Sequence, residues 1–189
     1  MITILALGDS LTAGYGLPQE YSFASRLEQT LREEGNDVRV INGGVSGDTA
    51  YDGLLRLDSL LEHRPHLVIV QFGANDIYMG LPVDDVRTSL ERIINRCRRA
   101  GALVFLAGIA CLLDPDNDYS LRFHKAFDDL AREKGVPFLP DFMPGIPGDP
   151  ELTLPDGIHP NKAGVDRMVE NILPGLRPLI SQTAIPGNS

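Results

Sequence analysis

Residues 2–11 are Ile2-Thr3-Ile4-Leu5-Ala6-Leu7-Gly8-Asp9-Ser10-Leu11. The first six are apolar except for one threonine, a composition typical of a strand that is buried on both faces of a sheet. The glycine that follows permits a sharp turn at the end of the strand, and a serine comes shortly after it. This segment therefore predicts a buried strand with a polar side chain just beyond its carboxyl end.

Further apolar runs follow along the chain and predict strands at residues 38–41, 67–72, 103–107 and 136–139. Between them, apolar side chains recur every three or four positions, which is the period of a helix packed on one face. Strict alternation of strands and helices predicts right-handed crossovers and a parallel sheet covered on both faces. The expected fold class is α/β: a three-layer α/β/α sandwich with a flavodoxin-like five-stranded parallel sheet in the order 2-1-3-4-5.

The 189 residues are predicted to form a single domain over residues 1–189, because no repeat or linker divides them. The proline- and glycine-rich stretch 140–155 is expected to be a loop before the last helix. Pro174 falls within the apolar stripe of that helix, so we expect a kink or an end near Leu173. The tail after about residue 181 is expected to be frayed.

Composition and charge restrict the classes of partner. The formal charge of −9 disfavours nucleic acid and anionic lipid surfaces as main partners. The expected partner is a small molecule, and the sequence does not indicate an oligomeric state. No apolar run is long enough to span a bilayer. The first strand directly follows Met1, which leaves no room for a signal peptide. This predicts a cytoplasmic protein, the alternative being an exported protein whose signal has been removed.

Glycines and polar residues collect directly after the predicted strands. They occupy residues 8–11, 42–48 and 73–76 and, beyond the long loop, residues 156–160. In an open parallel sheet, ligands bind beyond the carboxyl ends of the strands. We therefore expect these four segments to line one crevice.

Ser10 and His159 are the candidate nucleophile and base. A serine hydroxyl is a weak nucleophile until a neighbouring base removes its proton. His159 is the one histidine with an acidic residue, Asp156, at a helpful short spacing, and Pro160 predicts that the two share a loop. Asp156 would then fix the imidazole tautomer and leave the other ring nitrogen free for the Ser10 proton. The alternatives are helix N-cap roles for Ser10 and for His159.

Acyl transfer also needs N–H groups placed where the carbonyl oxygen gains charge. The candidates for this oxyanion hole are the backbone N–H groups of Ser10 and Gly47 and the side-chain amide of Asn75. The alternatives are a plain turn glycine at position 47 and an Asx turn at Asn75.

The segment Gly8-Asp9-Ser10-Leu11, together with Gly47, Asn75 and Asp156-x-x-His159, resembles the four sequence blocks of the GDSL, or SGNH, hydrolase family. The resemblance covers nearly the whole chain and is strongest to the branch of arylesterases and thioesterase/lysophospholipase enzymes. It implies Ser10 as nucleophile, Gly47 and Asn75 as oxyanion donors, the Asp156–His159 pair as base, and hydrolysis without a cofactor. The third block, usually Gly-Gly-Asn-Asp, has alanine at its second position here, which bears on substrate preference more than on reaction class.

The expected function is that of a serine hydrolase cleaving carboxylic esters or thioesters of short to medium acyl chains. Apolar side chains near the crevice are expected to bind the substrate: Ile77, Met79, Leu81, Leu112 and Ile158. The alternative is that they only pack the loops against the body. Two other functions stay open, a carbohydrate deacetylase (acetyl esterase) with the same catalytic groups and a flavodoxin-like module that binds a small anion or nucleotide.

No metal site and no cofactor site is predicted. The acidic run at residues 114–118 resembles the start of a calcium-binding loop, but Tyr119 and Lys125 stand where such a loop needs glycine and glutamate. Gly14-Tyr15-Gly16 lacks the third glycine of a dinucleotide-binding motif. Cys97 and Cys111 are expected to be buried thiols.

Overall fold

The computed structural model describes residues 1–184, without the side chains of Cys111 and Ala184. Its centre is a five-stranded parallel sheet in the order β2-β1-β3-β4-β5, which confirms the predicted strand order. The strands are β1 (Ile2–Gly8), β2 (Val38–Gly44), β3 (Leu67–Gln71), β4 (Leu103–Ala107) and β5 (Phe138–Leu139). The α-helices are α1 (Ser10–Ala13), α2 (Phe23–Glu33), α3 (Ala50–Leu61), α4 (Ala74–Tyr78), α5 (Val83–Arg99), α6 (Asp118–Lys134) and α7 (Lys162–Ala184).

Helices cover both faces of this sheet. Alternate side chains of a strand point to opposite faces, so β1 supplies Ile4 and Ala6 to one apolar core and Leu5 and Leu7 to another. The first core contains the apolar faces of α2 and α7, and the second contains those of α3, α5 and α6. The predicted three-layer α/β/α sandwich is therefore confirmed, and the continuous apolar character of the strands follows from burial on both sides.

Two strands differ in length from the sequence prediction by more than one residue. β2 continues past residue 41 to Gly44, because its last residues stay paired with β1. β5 is two residues long. It begins late because the Val136 N–H donates to the Ala131 carbonyl at the end of α6 (3.0 Å), and because Pro137 has no N–H to donate.

The last helix runs through two prolines. It does not end near Leu173, one of the two outcomes expected from the sequence, but continues past Pro174 and Pro178. Each proline removes a backbone donor. Buried side chains beyond Pro174, among them Leu176 and Ile180, pack into the core that α7 shares with α2 and hold the helix against the sheet.

Two predictions fall partly outside the described part of the chain. Residues 185–189 form most of the tail that was expected to fray, and their structure is not described. Cys97 is buried, as predicted. The side chain of Cys111, for which burial was also predicted, is not among those that the structure describes. No helix within residues 1–184 is both long enough and apolar enough to cross a membrane.

The register of the sheet places the carboxyl ends of its central strands side by side. Gly8, the last residue of β1, pairs with Gly44 on one side and with Gln71 on the other. Ser10, Gly47 and Asn75 follow these three strand ends within a few residues. The segments that carry them therefore leave the sheet at one edge.

Candidate active site

Ser10 is the first residue of α1, which begins directly after β1. Gly8 makes this short turn possible, because a Cβ at that position would lie 2.2 Å from Thr12 Oγ1 and 2.7 Å from the Gln71 carbonyl oxygen. Asp9 caps the helix by accepting the Leu11 N–H at 3.0 Å. The N-cap alternative for Ser10 is therefore wrong, since Asp9 has that role and the Ser10 hydroxyl is free for other partners.

Ser10, His159 and Asp156 form a continuous chain of contacts. His159 Nε2 lies 3.0 Å from Ser10 Oγ, and His159 Nδ1 lies 2.6 Å from Asp156 Oδ2. The N-cap alternative for His159 is wrong as well, because α7 begins later and the Asn161 side chain accepts the Gly164 N–H at 3.1 Å. The structure thus brings together the three side chains that the sequence selected.

Asp156 is held by its own loop. Its Oδ1 accepts the backbone N–H groups of Ile158 and His159, both at 2.9 Å. The Ile158 N–H, followed by the His159 side chain and backbone, lowers the pKa of Asp156, so the carboxyl is ionised at neutral pH. An ionised carboxylate can only accept, so the contact at 2.6 Å places a proton on His159 Nδ1. Nε2 of the neutral ring is then an acceptor directed at Ser10 Oγ.

The candidate oxyanion donors lie on the three segments that follow β1, β2 and β3. Gly47 has φ +90°, a conformation that favours glycine, and nothing lies within 4 Å of the Cβ it lacks. Within residues 1–184, the backbone N–H groups of Ser10 and Gly47 donate to no protein acceptor. The Asn75 side chain donates to the Asp48 carbonyl at 2.8 Å, which leaves its second amide hydrogen without an acceptor in the described chain. All three groups can therefore donate to a ligand.

Two buried carboxyls lie beside these residues, and sequence reasoning assigned no role to either. Asp9 and Asp76 are essentially inaccessible to solvent, and burial raises the pKa of each to about 6. Gln71 Nε2 donates to Asp9 Oδ2 at 3.3 Å. Both oxygens of Asp76 accept the Ala50 N–H at 3.2 Å, which ties α4 to the start of α3. Their positions in the sequence could have identified them, because Asp9 is adjacent to Ser10 and Asp76 is adjacent to Asn75.

Tyr15 is a second neighbour that the sequence did not reveal. Its ring centroid lies 4.4 Å from that of the His159 imidazole, at an interplanar angle of 38°. The Tyr15 side chain is 52% exposed, so the ring covers one side of the imidazole while facing solvent itself.

The five predicted substrate-binding residues have different environments. Met79 and Leu81 line a groove of about 500 Å³ that also contacts Tyr51 at the start of α3. Ile158 is half exposed on the loop of Asp156. Ile77 lies within α4 and, like Leu112, is partly buried against the apolar core. The packing alternative thus describes Ile77 and Leu112, and Leu81 combines both roles because it also packs against the second core. Met79 and Ile158 are open to a ligand.

A hydroxyl that can pass its proton to an imidazole is suited to attack on a carbonyl carbon, and the class of protein that this fold and site define is the serine ester hydrolases. Comparison with known proteins then gives a particular family. The sequence matches the GDSL-like Lipase/Acylhydrolase family over residues 6–167. The chain belongs to this family, which confirms the resemblance drawn from the sequence blocks.

Individual relatives agree with this assignment. The chain is 40% identical to the arylesterase of Vibrio mimicus over 158 residues, which cover 83% of this chain and 79% of the relative. It is 32% identical to thioesterase 1/protease 1/lysophospholipase L1 of Escherichia coli (strain K12) over 180 residues, which cover 95% and 85%. A crystal structure of TesA superposes with a TM-score of 0.88 at 36% identity and covers 94% of this chain and 99% of that one.

Proposed function

We propose that this chain hydrolyses carboxylic esters and thioesters of short to medium acyl chains through an acyl-enzyme on Ser10. The observation that carries the proposal is the unbroken path from Asp156 through His159 to Ser10, with contacts of 2.6 and 3.0 Å. A hydroxyl, a base and an orienting carboxylate in contact in this order can perform acyl transfer.

In the first step, Ser10 Oγ attacks the carbonyl carbon of the substrate while its proton passes to His159 Nε2. The carbonyl oxygen becomes an oxyanion, which accepts hydrogen bonds from the N–H groups of Ser10 and Gly47 and from the Asn75 amide. When the bond from carbon to the leaving oxygen or sulfur breaks, His159 returns the proton to the leaving group. The alcohol or thiol departs, and the acyl group stays on Ser10 as an ester.

In the second step, a water molecule attacks the acyl carbon and gives a proton to His159 Nε2. The second tetrahedral oxyanion uses the same donors, and its collapse breaks the bond to Ser10 Oγ. His159 then returns the proton to that oxygen, so the free enzyme is regenerated and a carboxylic acid is released. Asp156 stays ionised throughout and stabilises the imidazolium.

The rim of the site favours apolar substrates. Tyr15, Met79 and Ile158 expose between 50% and 61% of their area near the catalytic residues or in the adjacent groove, where they can cover an acyl chain or an aromatic leaving group. The groove also contains polar side chains that a carbohydrate could use, among them Asp52, Asp85 and Arg92. Because the three exposed side chains are apolar or aromatic, we propose an ester with an apolar acyl chain as the substrate, and the acetylated sugar is the alternative to be tested.

A substrate panel tests the proposal. We expect p-nitrophenyl esters of acetate to octanoate and an acyl thioester to be hydrolysed, with little activity on acetylated sugars, and Ser10→Ala to abolish all of it. Preference for acetylated sugars by a large margin would instead support carbohydrate deacetylation. Turnover that survives Ser10→Ala would contradict the proposed mechanism.

A variant in the groove lined by Met79 and Leu81 tests whether the acyl chain of the substrate binds there. Met79→Gln is expected to raise KM for the longer acyl chains and to leave acetate esters unaffected, because only a longer chain reaches the groove. Leu121→Gln is the matched variant, since Leu121 is an exposed apolar residue on α6. Equal effects of the two variants would show that this groove does not bind the acyl chain.

A further inference from the structure

The guanidinium of Arg56 connects two of the segments that form the site. Arg56 lies on α3, and its Nε donates to Asp48 Oδ2 at 2.6 Å. Its Nη2 donates to the Gly8 carbonyl oxygen at 3.0 Å. The side chains of Arg56 and Asp48 are only 24% and 14% exposed, so this ion pair is shielded from solvent more than an ordinary surface pair.

Both acceptors of Arg56 are close in the chain to the candidate oxyanion donors. Gly8 ends β1, two residues before Ser10, and its carbonyl also accepts the Val45 N–H at 3.0 Å. Asp48 directly follows Gly47, and its own carbonyl accepts the Asn75 side-chain amide at 2.8 Å. Through these contacts, one guanidinium is linked to all three segments that carry the donors.

The turn at Gly47 is closed by one backbone hydrogen bond of its own, from the Asp48 N–H to the Val45 carbonyl at 3.2 Å. Gly47 and its preceding residue are exposed, and nothing lies within 4 Å of the position where a Cβ would be. An oxyanion hole works only when its donors are held within a few tenths of an ångström of their positions, because misplacement by about 1 Å costs roughly a hundredfold in rate. Arginine suits such a restraint, because its planar fork donates in two fixed directions and keeps its charge at any physiological pH.

We propose that Arg56 is a positioning residue for the oxyanion hole, holding the Gly47–Asp48 turn in register with the segment from Gly8 to Ser10. This inference rests on the proposed function, because it assigns Arg56 a role in placing the donors used there. Arg56 does not touch the substrate. It acts through Asp48 and the Gly8 carbonyl.

Arg56→Met tests the proposal by removing both hydrogen bonds while keeping the apolar stem. We expect kcat on p-nitrophenyl butyrate to fall roughly 10- to 100-fold with KM changed less than about threefold, because the lost restraint matters most when the oxyanion forms. Affinity for an alkylboronic acid, which forms a tetrahedral adduct with a serine hydroxyl, is expected to fall by a similar factor. Arg56→Lys should retain part of kcat, since an ammonium can reach one acceptor but not both in the same geometry.

Arg96→Met is the matched control. Arg96 is 29% exposed and pairs with Asp58 between α5 and α3 at 3.2 Å, and it makes no hydrogen bond to the segments that carry the donors. We expect this variant to match the wild type in kcat and in boronate affinity. Thermal unfolding of each variant shows whether the protein is folded, and if Arg56→Met does not fold, Asp48→Asn and Arg56→Lys carry the same test with smaller changes in volume.

The outcomes separate this inference from the proposed function. Folded Arg56→Met with wild-type kcat and wild-type boronate affinity would overturn the positioning role, even if Ser10→Ala is inactive. Equal losses in the Arg56 and Arg96 variants would overturn it too, because they would show a general structural effect. Turnover that persists in Ser10→Ala would instead contradict the proposed function, whatever Arg56→Met does.

Discussion

The imidazole of His159 contacts three neighbouring side chains. Asp156 and Ser10 occupy its two ring nitrogens, and the Tyr15 ring lies 4.4 Å away, centroid to centroid. The two hydrogen bonds determine which ring nitrogen of His159 carries the proton and which one faces Ser10. The aromatic ring lies within the distance at which it attracts a cation, so we expect it to stabilise the imidazolium that the proposed mechanism forms when His159 takes the Ser10 proton.

Replacing Tyr15 tests this stabilisation. Tyr15→Leu is expected to lower kcat by about 3- to 30-fold, the range that corresponds to one cation–π contact of moderate strength. Because Tyr15 is largely exposed, the thermal midpoint should change little. Tyr15→Phe keeps the ring and should retain nearly all activity. If Phe and Leu lost activity equally, the hydroxyl rather than the ring face would be responsible.

Some residues of the candidate site could be predicted from the sequence, and others could not, for a physical reason. Ser10 and the pair Asp156 and His159 were found because one follows a strand end and the other two are close in the chain. Tyr15 and Arg56 contact groups that are distant in sequence or on another element, and no periodicity gives the direction of such side chains. Asp9 also replaced Ser10 as the helix cap, a competition between neighbours that composition alone does not resolve.

Among the elements, α3 contacts both the site and the core. Its first turn is held by a capping box, in which Thr49 and Asp52 exchange hydrogen bonds. Further along, Arg56 faces the site, and Gly53 lies against Phe72, the residue that follows β3. A Cβ at Gly53 would lie 2.2 Å from the nearest ring atom of Phe72, which is fully buried. The helix can approach β3 this closely only with glycine at position 53.

Gly53→Ala has two opposing effects on the free energy of unfolding, one through helix propensity and one through packing. Alanine gains about 1 kcal/mol over glycine within a helix, whereas forcing a methyl group into a packed interface costs about 1–3 kcal/mol. We expect the steric cost to win and the free energy of unfolding, measured by urea denaturation, to fall. Ser59→Ala, at an exposed position of the same helix, should stay within about 0.5 kcal/mol of the wild type. A Gly53→Ala protein more stable than the wild type would show that Phe72 moves aside freely.

Elements with many residues were predicted best. The long amphipathic helices and the continuous apolar strands followed directly from periodicity, and so did their arrangement in layers. The exceptions are short elements: α4 covers only Ala74–Tyr78, and β5 has two residues. Five residues make too few turns for a helical period to be detected, and the pairing of two residues depends on the neighbouring strand.

The stability of the whole molecule is expected to depend on pH through its two buried carboxyls. Burial raises the pKa of Asp9 and of Asp76 from 3.8 to about 6. The folded protein therefore binds these protons more tightly than the unfolded chain does. Their contribution is fully present below about pH 4 and is lost as the pH rises through about 6, up to about 3 kcal/mol for each group.

Asp76→Asn tests this dependence. We expect the free energy of unfolding of the wild type to fall between about pH 4.5 and 7, and the slope to be reduced in the variant, because asparagine does not titrate and can still accept the Ala50 N–H. Carboxyls with lowered pKa values, such as Asp156, act in the opposite sense, and their effect on the slope ends at about pH 5.5, so the two slopes are compared above that pH. Asp58→Asn, at an exposed position, is the control. An unchanged slope in Asp76→Asn would show that its carboxyl is not perturbed by burial.

The proton path from Ser10 to His159 can be tested by covalent labelling with a fluorophosphonate, which reacts with a serine only when a base activates it. We expect one phosphonyl group per chain, mapped by mass spectrometry to the peptide that contains Ser10. Labelling should be lost in Ser10→Ala, strongly slowed in His159→Ala and unchanged in Ser59→Ala. Absence of labelling in the folded wild type, or equal labelling of Ser10→Ala, would contradict the assignment of Ser10 as the nucleophile.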